Sequence, residues 1–147
     1  MHPRVIPSVL LTYIEGLKAH DVRKIADTVS DDLAFVSATR TLNKTEFLQM
    51  LVALYTGFPD WHYDHDAPEW QADLLAVKWR QGGTHAGAFA MPGMDPVAPT
   101  GRRVRIPEHY FFYRVAAERI SMIRPEVVAG GAPRGILEQI GVAVPPL

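Results

Sequence analysis

Residues 107–114 read Pro-Glu-His-Tyr-Phe-Phe-Tyr-Arg, and the alternation in this stretch decides the fold. On a strand, successive side chains point to opposite faces. His109, Phe111 and Tyr113 then share one face, while Glu108, Tyr110, Phe112 and Arg114 share the other. Both faces carry aromatic rings, so both need cover. Helices can cover only one of them. The face with fewer charges, that of His109, Phe111 and Tyr113, is expected to turn inward. The other keeps Tyr110 and Phe112 beside charged residues, which is the pattern of an interaction surface. A second copy of the chain, packed sheet to sheet as a homodimer, is the expected cover.

The chain before this strand is helical in period. Leu10, Ile14 and Leu17 recur at helix spacing, with Ser8 as N-cap. Asp21 caps a second short helix. Ser30-Asp-Asp32 is expected to break that helix before a short strand, Leu33–Val36. A third helix follows, capped by Thr45, with Phe47, Met50, Leu51, Leu54 and Tyr55 on one face and Gly57 and Pro59 at its end. From Trp61 onward the period changes to two. Strands are expected over 61–66, 74–80, 84–90, 102–114 and 120–124, with Pro- and Gly-rich connections at 91–101 and 125–135 and a helical turn at 136–140. Helices first and consecutive strands after them make an α+β fold, a mostly antiparallel sheet with helices on one face.

Composition narrows the function. The 147 residues fit one domain spanning 1–147, and 48% hydrophobic with 21% charged residues is ordinary for a globular chain. A net charge of −1 gives no reason to expect nucleic acid or an acidic membrane as partner. There is no cysteine, so disulfides and thiolate chemistry are excluded. Met1–Arg4 carries no apolar leader and no run is long enough to span a bilayer, so a cytoplasmic location is expected. His62, Asp64 and Asp66 share a strand face but step by about 6.6 Å with parallel side chains. That is a solvated face, and no metal is expected there.

Several short motifs, in order, resemble the SnoaL-like polyketide cyclases of the NTF2-like superfamily. They are Tyr13–Asp21 in the first helix, Ser30–Phe35, Phe58-Pro-Asp60, Ala76–Trp79 with Gly83-Thr-His-Ala-Gly87, Pro99-Thr-Gly101 and Ile136–Gly141. The resemblance implies a cone, a strongly curved sheet wrapped over about three helices around an apolar pocket. It also implies cofactor-free acid–base chemistry, in which a polyketide ring closes by an intramolecular aldol step. Where the family carries its acid–base Asp, this chain reads Arg124–Arg134 with Glu126 as its carboxylate. Tyr113 stands at the family's His position.

The expected catalytic set is therefore His85, His109, Tyr113 and Glu126. The imidazoles would move protons near neutral pH and the phenol would hold an oxygen. The expected wall of the pocket is Tyr13, Leu17, Phe35, Trp61, Trp79, Phe89 and Phe111, enclosing a small apolar molecule. The insertion Met91–Val97 reads as an adaptable lid or as a surface excursion. Two functions fit: a cyclase or isomerase acting on an apolar carbonyl compound, and a module that binds such a compound without turning it over.

Overall fold

A computed structural model describes residues 4–91 and 93–143. Most of the N-terminal segment examined for a leader, and Pro92 in the insertion, lie outside the described residues. The chain opens with helix α1 (Ser8–Ala19) and helix α2 (Val22–Thr28), followed by strands β1 (Val29–Val36) and β2 (Thr41–Leu42) and helix α3 (Lys44–Gly57). Strands β3 (His62–His65), β4 (Glu69–Gln71), β5 (Leu74–Thr84), β6 (Arg103–Ala116) and β7 (Arg119–Pro125) come next, and helix α4 (Arg134–Gln139) closes it. The strands form one sheet ordered β2-β1-β7-β6-β5-β3, with β4 pairing β5. All pairs are antiparallel except β1 with β7. Among the described residues no helix is long and apolar enough to cross a membrane.

Local chemistry explains the boundaries. Asp21 accepts from the backbone N–H of Lys24, so it caps α2 as expected. The cap of α3 is Asn43 rather than Thr45. Asn43 accepts from Glu46 N while the Glu46 carboxylate accepts from Asn43 N, a reciprocal capping box that Thr45, one residue inside the helix, cannot make. Ser8 is likewise the first helical residue rather than a cap, and Pro7 precedes it without a side-chain bond. The second helix ends at Thr28, ahead of Ser30-Asp-Asp32, and β1 starts at Val29 rather than Leu33, running through those three residues.

The largest correction lies in β5, which continues through Gly82-Gly83 to Thr84. A Cβ on Gly82 would stand 2.7 Å from the carbonyl oxygen of Val104 on the paired strand, so glycine keeps the ladder intact there. Residues 85–90 then leave the sheet instead of forming a strand of their own, held by the Phe89–Val97 bridge and by backbone bonds from Ala86 and Gly87 to the Gly57 carbonyl.

Strand β6 confirms the reading of residues 107–114. His109 and Tyr113 are buried and Phe111 is half-buried on the helix side, while Glu108 and Arg114 are exposed. The helices cover this inner face through Leu10, Tyr13, Ile14, Leu17, Phe47 and Leu51, which pack with Leu75, Val77, Trp79 and Tyr113. A second cluster at the other end joins Phe58, Trp61 and Phe89 to Val104, Ile106, Ile136 and Ile140 of β6 and the α4 segment.

Candidate functional site

The residues expected around one pocket are divided between these two clusters. Tyr13, Leu17, Phe35, Trp79 and Tyr113 are buried in the first, with Phe111 packed against it. Trp61 and Phe89 belong to the second, and His85 joins that one by stacking on Phe58 at 5.4 Å between centroids. Two clefts on the described surface lie elsewhere. One of about 680 Å³ lies between the start of α1 and the β6–β7 turn, and one of about 320 Å³ borders α2 and β1.

In the first cluster the hydroxyl groups converge. Trp79 Nε1 donates to Tyr113 Oη at 2.9 Å. The Tyr13 ring meets Tyr113 edge-on at 5.7 Å. Because the indole N–H can only donate, Tyr113 Oη is the acceptor of the Trp79 bond, and its own O–H remains to donate. Beside this pair, the Tyr55 and Tyr63 hydroxyls are 2.7 Å apart. Either hydroxyl can serve as the donor of that bond, and the acceptor of the two keeps its own O–H.

Burial keeps all four phenols protonated. It raises Tyr13, Tyr63 and Tyr113 well above the usual phenol value and pushes Tyr55 up to about 12. The bond from Trp79 partly offsets this for Tyr113, as the bond with Tyr63 does for Tyr55. Tyr55 and Tyr63 were not among the expected site residues, nor was His20. His20 takes a left-handed turn at the end of α1, where its ring stacks on Tyr55 at 4.0 Å and its Nε2–H donates to the carbonyl of Trp61.

The expected proton carriers stand differently. His85 is fully buried, and its Nδ1 receives the backbone N–H of Thr100 at 3.2 Å and lies 2.9 Å from the Thr100 hydroxyl. A nitrogen that accepts an N–H carries no proton, so the proton of His85 is on Nε2, which is sealed in without a partner. His85 is therefore built to donate rather than to take a proton. His109 is the reverse. Its Nδ1 lies 2.7 Å from the Pro107 carbonyl, and since a carbonyl can only accept, the proton is on Nδ1 and Nε2 keeps its lone pair. Glu126 is exposed at the end of β7, where its carboxylate accepts from Tyr110 N at 3.1 Å. Among the described residues no cluster of His, Asp and Glu is placed to hold a metal.

The family model described as SnoaL-like polyketide cyclase matches residues 8–124. No curated protein matches the chain. Among solved structures, AclR, a candidate hydroxylase of Streptomyces galilaeus, superposes with a TM-score of 0.73 at 18% identity, covering 94% of this chain and 85% of its own. A candidate SnoaL-like polyketide cyclase of Jannaschia sp. CCS1 gives 0.71 at 15% identity over 99% of both chains. IdmH, a candidate polyketide cyclase of Streptomyces antibioticus, gives 0.68 at 19% identity, over 94% of this chain and 100% of its own. The NTF2-like α+β fold implied by the sequence motifs is the fold these structures share with the chain.

Proposed function

Because the chain belongs to the SnoaL-like polyketide cyclase family, we propose that it acts on an apolar ketone by acid–base chemistry, moving a proton at the carbon next to the carbonyl as a cyclase or isomerase does. One observation carries this reading: Tyr113 Oη accepts from Trp79 Nε1 at 2.9 Å, so its own O–H is a polarised donor in a buried site. A ketone oxygen placed there gains charge as the adjacent carbon loses its proton, and a fixed donor in a dry site favours that charge. The Tyr55–Tyr63 pair holds a second hydroxyl donor in the same cluster. The proton goes to an imidazole. Of the two histidines named from sequence, His109 has the free lone pair and His85 does not. The half-buried Leu48, Met50 and Trp70 border this cluster, and the guest reaches the hydroxyls by displacing them. The unbranched Met50 is the easiest of the three to move.

The second reading, a module that binds without turnover, draws support from Glu126. Its carboxylate is tied to the backbone at an exposed strand end and does not join the hydroxyl cluster. Exchange of the α-protons of 1-tetralone for deuterium, followed by proton NMR, separates the two. The catalytic reading expects exchange that falls about a hundredfold in Tyr113→Phe. Saturable binding with no exchange above buffer favours the binding module.

A second copy of the chain is proposed to cover the outer sheet face. There Tyr110 and Phe112 stack at 6.0 Å, Arg124 lies over Phe112, and Arg80 joins Asp64, Asp66 and Glu108. This face offers apolar rings and both signs of charge, as a self-complementary contact requires.

A further inference from the structure

Alternation along β3 sends Asp64 outward, where it meets Arg80 at 2.9 Å, and sends Tyr63 and His65 to the inner face. His65 pairs with Trp79 across the β3–β5 ladder, and Trp79 pairs in turn with His109 of β6. Two imidazoles thus flank one indole on three neighbouring strands. His65 is in ring contact with that indole. Its ring is 4.9 Å from that of Trp79, and the same indole donates to Tyr113. The next inward residue on its strand, Tyr63, is bonded to Tyr55.

The protonation of His65 follows from its partner. Nδ1 lies 2.7 Å from the carbonyl of Asp66, which can only accept, so Nδ1 carries the proton and Nε2 presents a lone pair. That nitrogen makes no bond among the described residues. It is not sealed in either, unlike the Nε2 of His85. The inner face therefore offers the Tyr113 hydroxyl, bonded to the Trp79 indole, as a donor and His65, beside the same indole, as an acceptor.

We propose that His65 is a specificity-determining residue that accepts a hydroxyl group of the substrate, so that the substrate class is a hydroxy ketone: a carbonyl held by Tyr113 and a phenolic or enolic O–H held by His65 Nε2, about one indole apart. A purely apolar ketone would leave this acceptor unused, and an analogue whose hydroxyl is blocked would leave it unpaired on binding, which is the costly case. The inference rests on the ketone reading above and refines it.

The test measures affinity by calorimetry, with 6-hydroxy-1-tetralone and 6-methoxy-1-tetralone as probes. The wild-type chain is expected to bind the hydroxy probe about tenfold more tightly, the value of one net hydrogen bond. His65→Phe should bring the ratio close to one while leaving the methoxy probe unaffected, and His65→Gln, which keeps an acceptor, should restore most of the preference. Tyr113→Phe should weaken both probes alike and preserve the ratio. Equal binding of the two probes by the wild type, or a preference that survives in His65→Phe or disappears only in His109→Phe, overturns the assignment of His65 and leaves the ketone reading standing. Failure of the folded wild type to bind either probe overturns both. Thermal melts by circular dichroism establish that each variant is folded.

Discussion

Trp79 Nε1 donates to Tyr113 Oη at 2.9 Å although the two residues are four positions out of register, Trp79 facing His109 and Tyr113 facing Leu75 across the β5–β6 ladder. The indole therefore leans along the sheet to reach the phenol. It both fills the first cluster and polarises the hydroxyl on which the proposed chemistry depends.

Trp79→Phe separates these two duties. The phenyl ring fills part of the space, but Tyr113 loses the bond it accepts from the indole. Loss of a buried bond together with a partial cavity should cost about 1–3 kcal/mol in urea unfolding. The Tyr113 O–H becomes a weaker donor, so tetralone exchange should fall about tenfold beyond any loss of folded protein. Unchanged exchange in a fully folded Trp79→Phe variant would show that the indole does not tune the phenol.

The tyrosine cluster also sets an alkaline limit on stability. Tyr55 titrates at about 12 in the folded chain, raised mainly by burial, against about 10 when unfolded. Between those values the unfolded chain loses its proton first, so stability falls as pH rises. The contribution is whole below pH 10 and gone above the folded value. For Tyr55 alone this amounts to about 3 kcal/mol, and Tyr13, Tyr63 and Tyr113 act in the same direction. Urea midpoints measured at pH 8, 10 and 11.5 should drop steeply over the last interval, and less steeply in Tyr55→Phe. A flat profile would mean that these hydroxyls are open to water.

At the start of α3 the reciprocal bonds of Asn43 and Glu46 make a prediction that distinguishes the observed cap from the expected one. Asn43→Ala should destabilise the fold by about 1 kcal/mol, the usual value of a lost N-cap. Thr45→Ala, an exposed position already inside the helix, should change stability by no more than about 0.5 kcal/mol. Equal effects of the two in thermal or urea unfolding would contradict the capping geometry.

These elements show what the sequence makes legible and what it does not. Alternation in residues 107–114 is enough to place His109, Phe111 and Tyr113 inward, because a strand has only two faces and charge marks one of them. The same rule applied to residues 62–66 identifies His62, Asp64 and Asp66 as a solvated face. Its complement, Tyr63 and His65, is the inner face, and that signal is present in the sequence without being used. The partners of these residues are another matter. Tyr55 and Tyr63 lie eight residues apart on a helix and a strand, and their contact depends on the turn between those elements. The proton positions of His85, His109 and His65 depend on backbone groups that only the folded chain brings within reach. Gly82-Gly83 reads as a break in sequence, yet Gly82 is where the backbone of the paired strand comes too close to β5 for any side chain.

The outer face yields the last prediction. Tyr110 and Phe112 are half-buried within one chain although no helix covers them. The guanidinium of Arg80 is held by Asp64, Asp66 and Glu108, and Lys78 also reaches Glu108. These exposed ion pairs are screened by salt and add little to the fold by themselves. Their order along one face fits a role in setting the register of a partner, with the aromatic pair as the apolar centre. If a second copy binds there, Phe112→Glu places a like charge opposite its own symmetry mate and removes the central ring. Sedimentation velocity at micromolar concentration should then show a wild-type dimer and a folded Phe112→Glu monomer. Arg80→Ala should give a dimer that is weaker but still present, because the pairs it removes lie at the exposed rim. A monomeric wild type would assign Tyr110 and Phe112 to another occupant, and a dimer unaffected by Phe112→Glu would move the interface off this face.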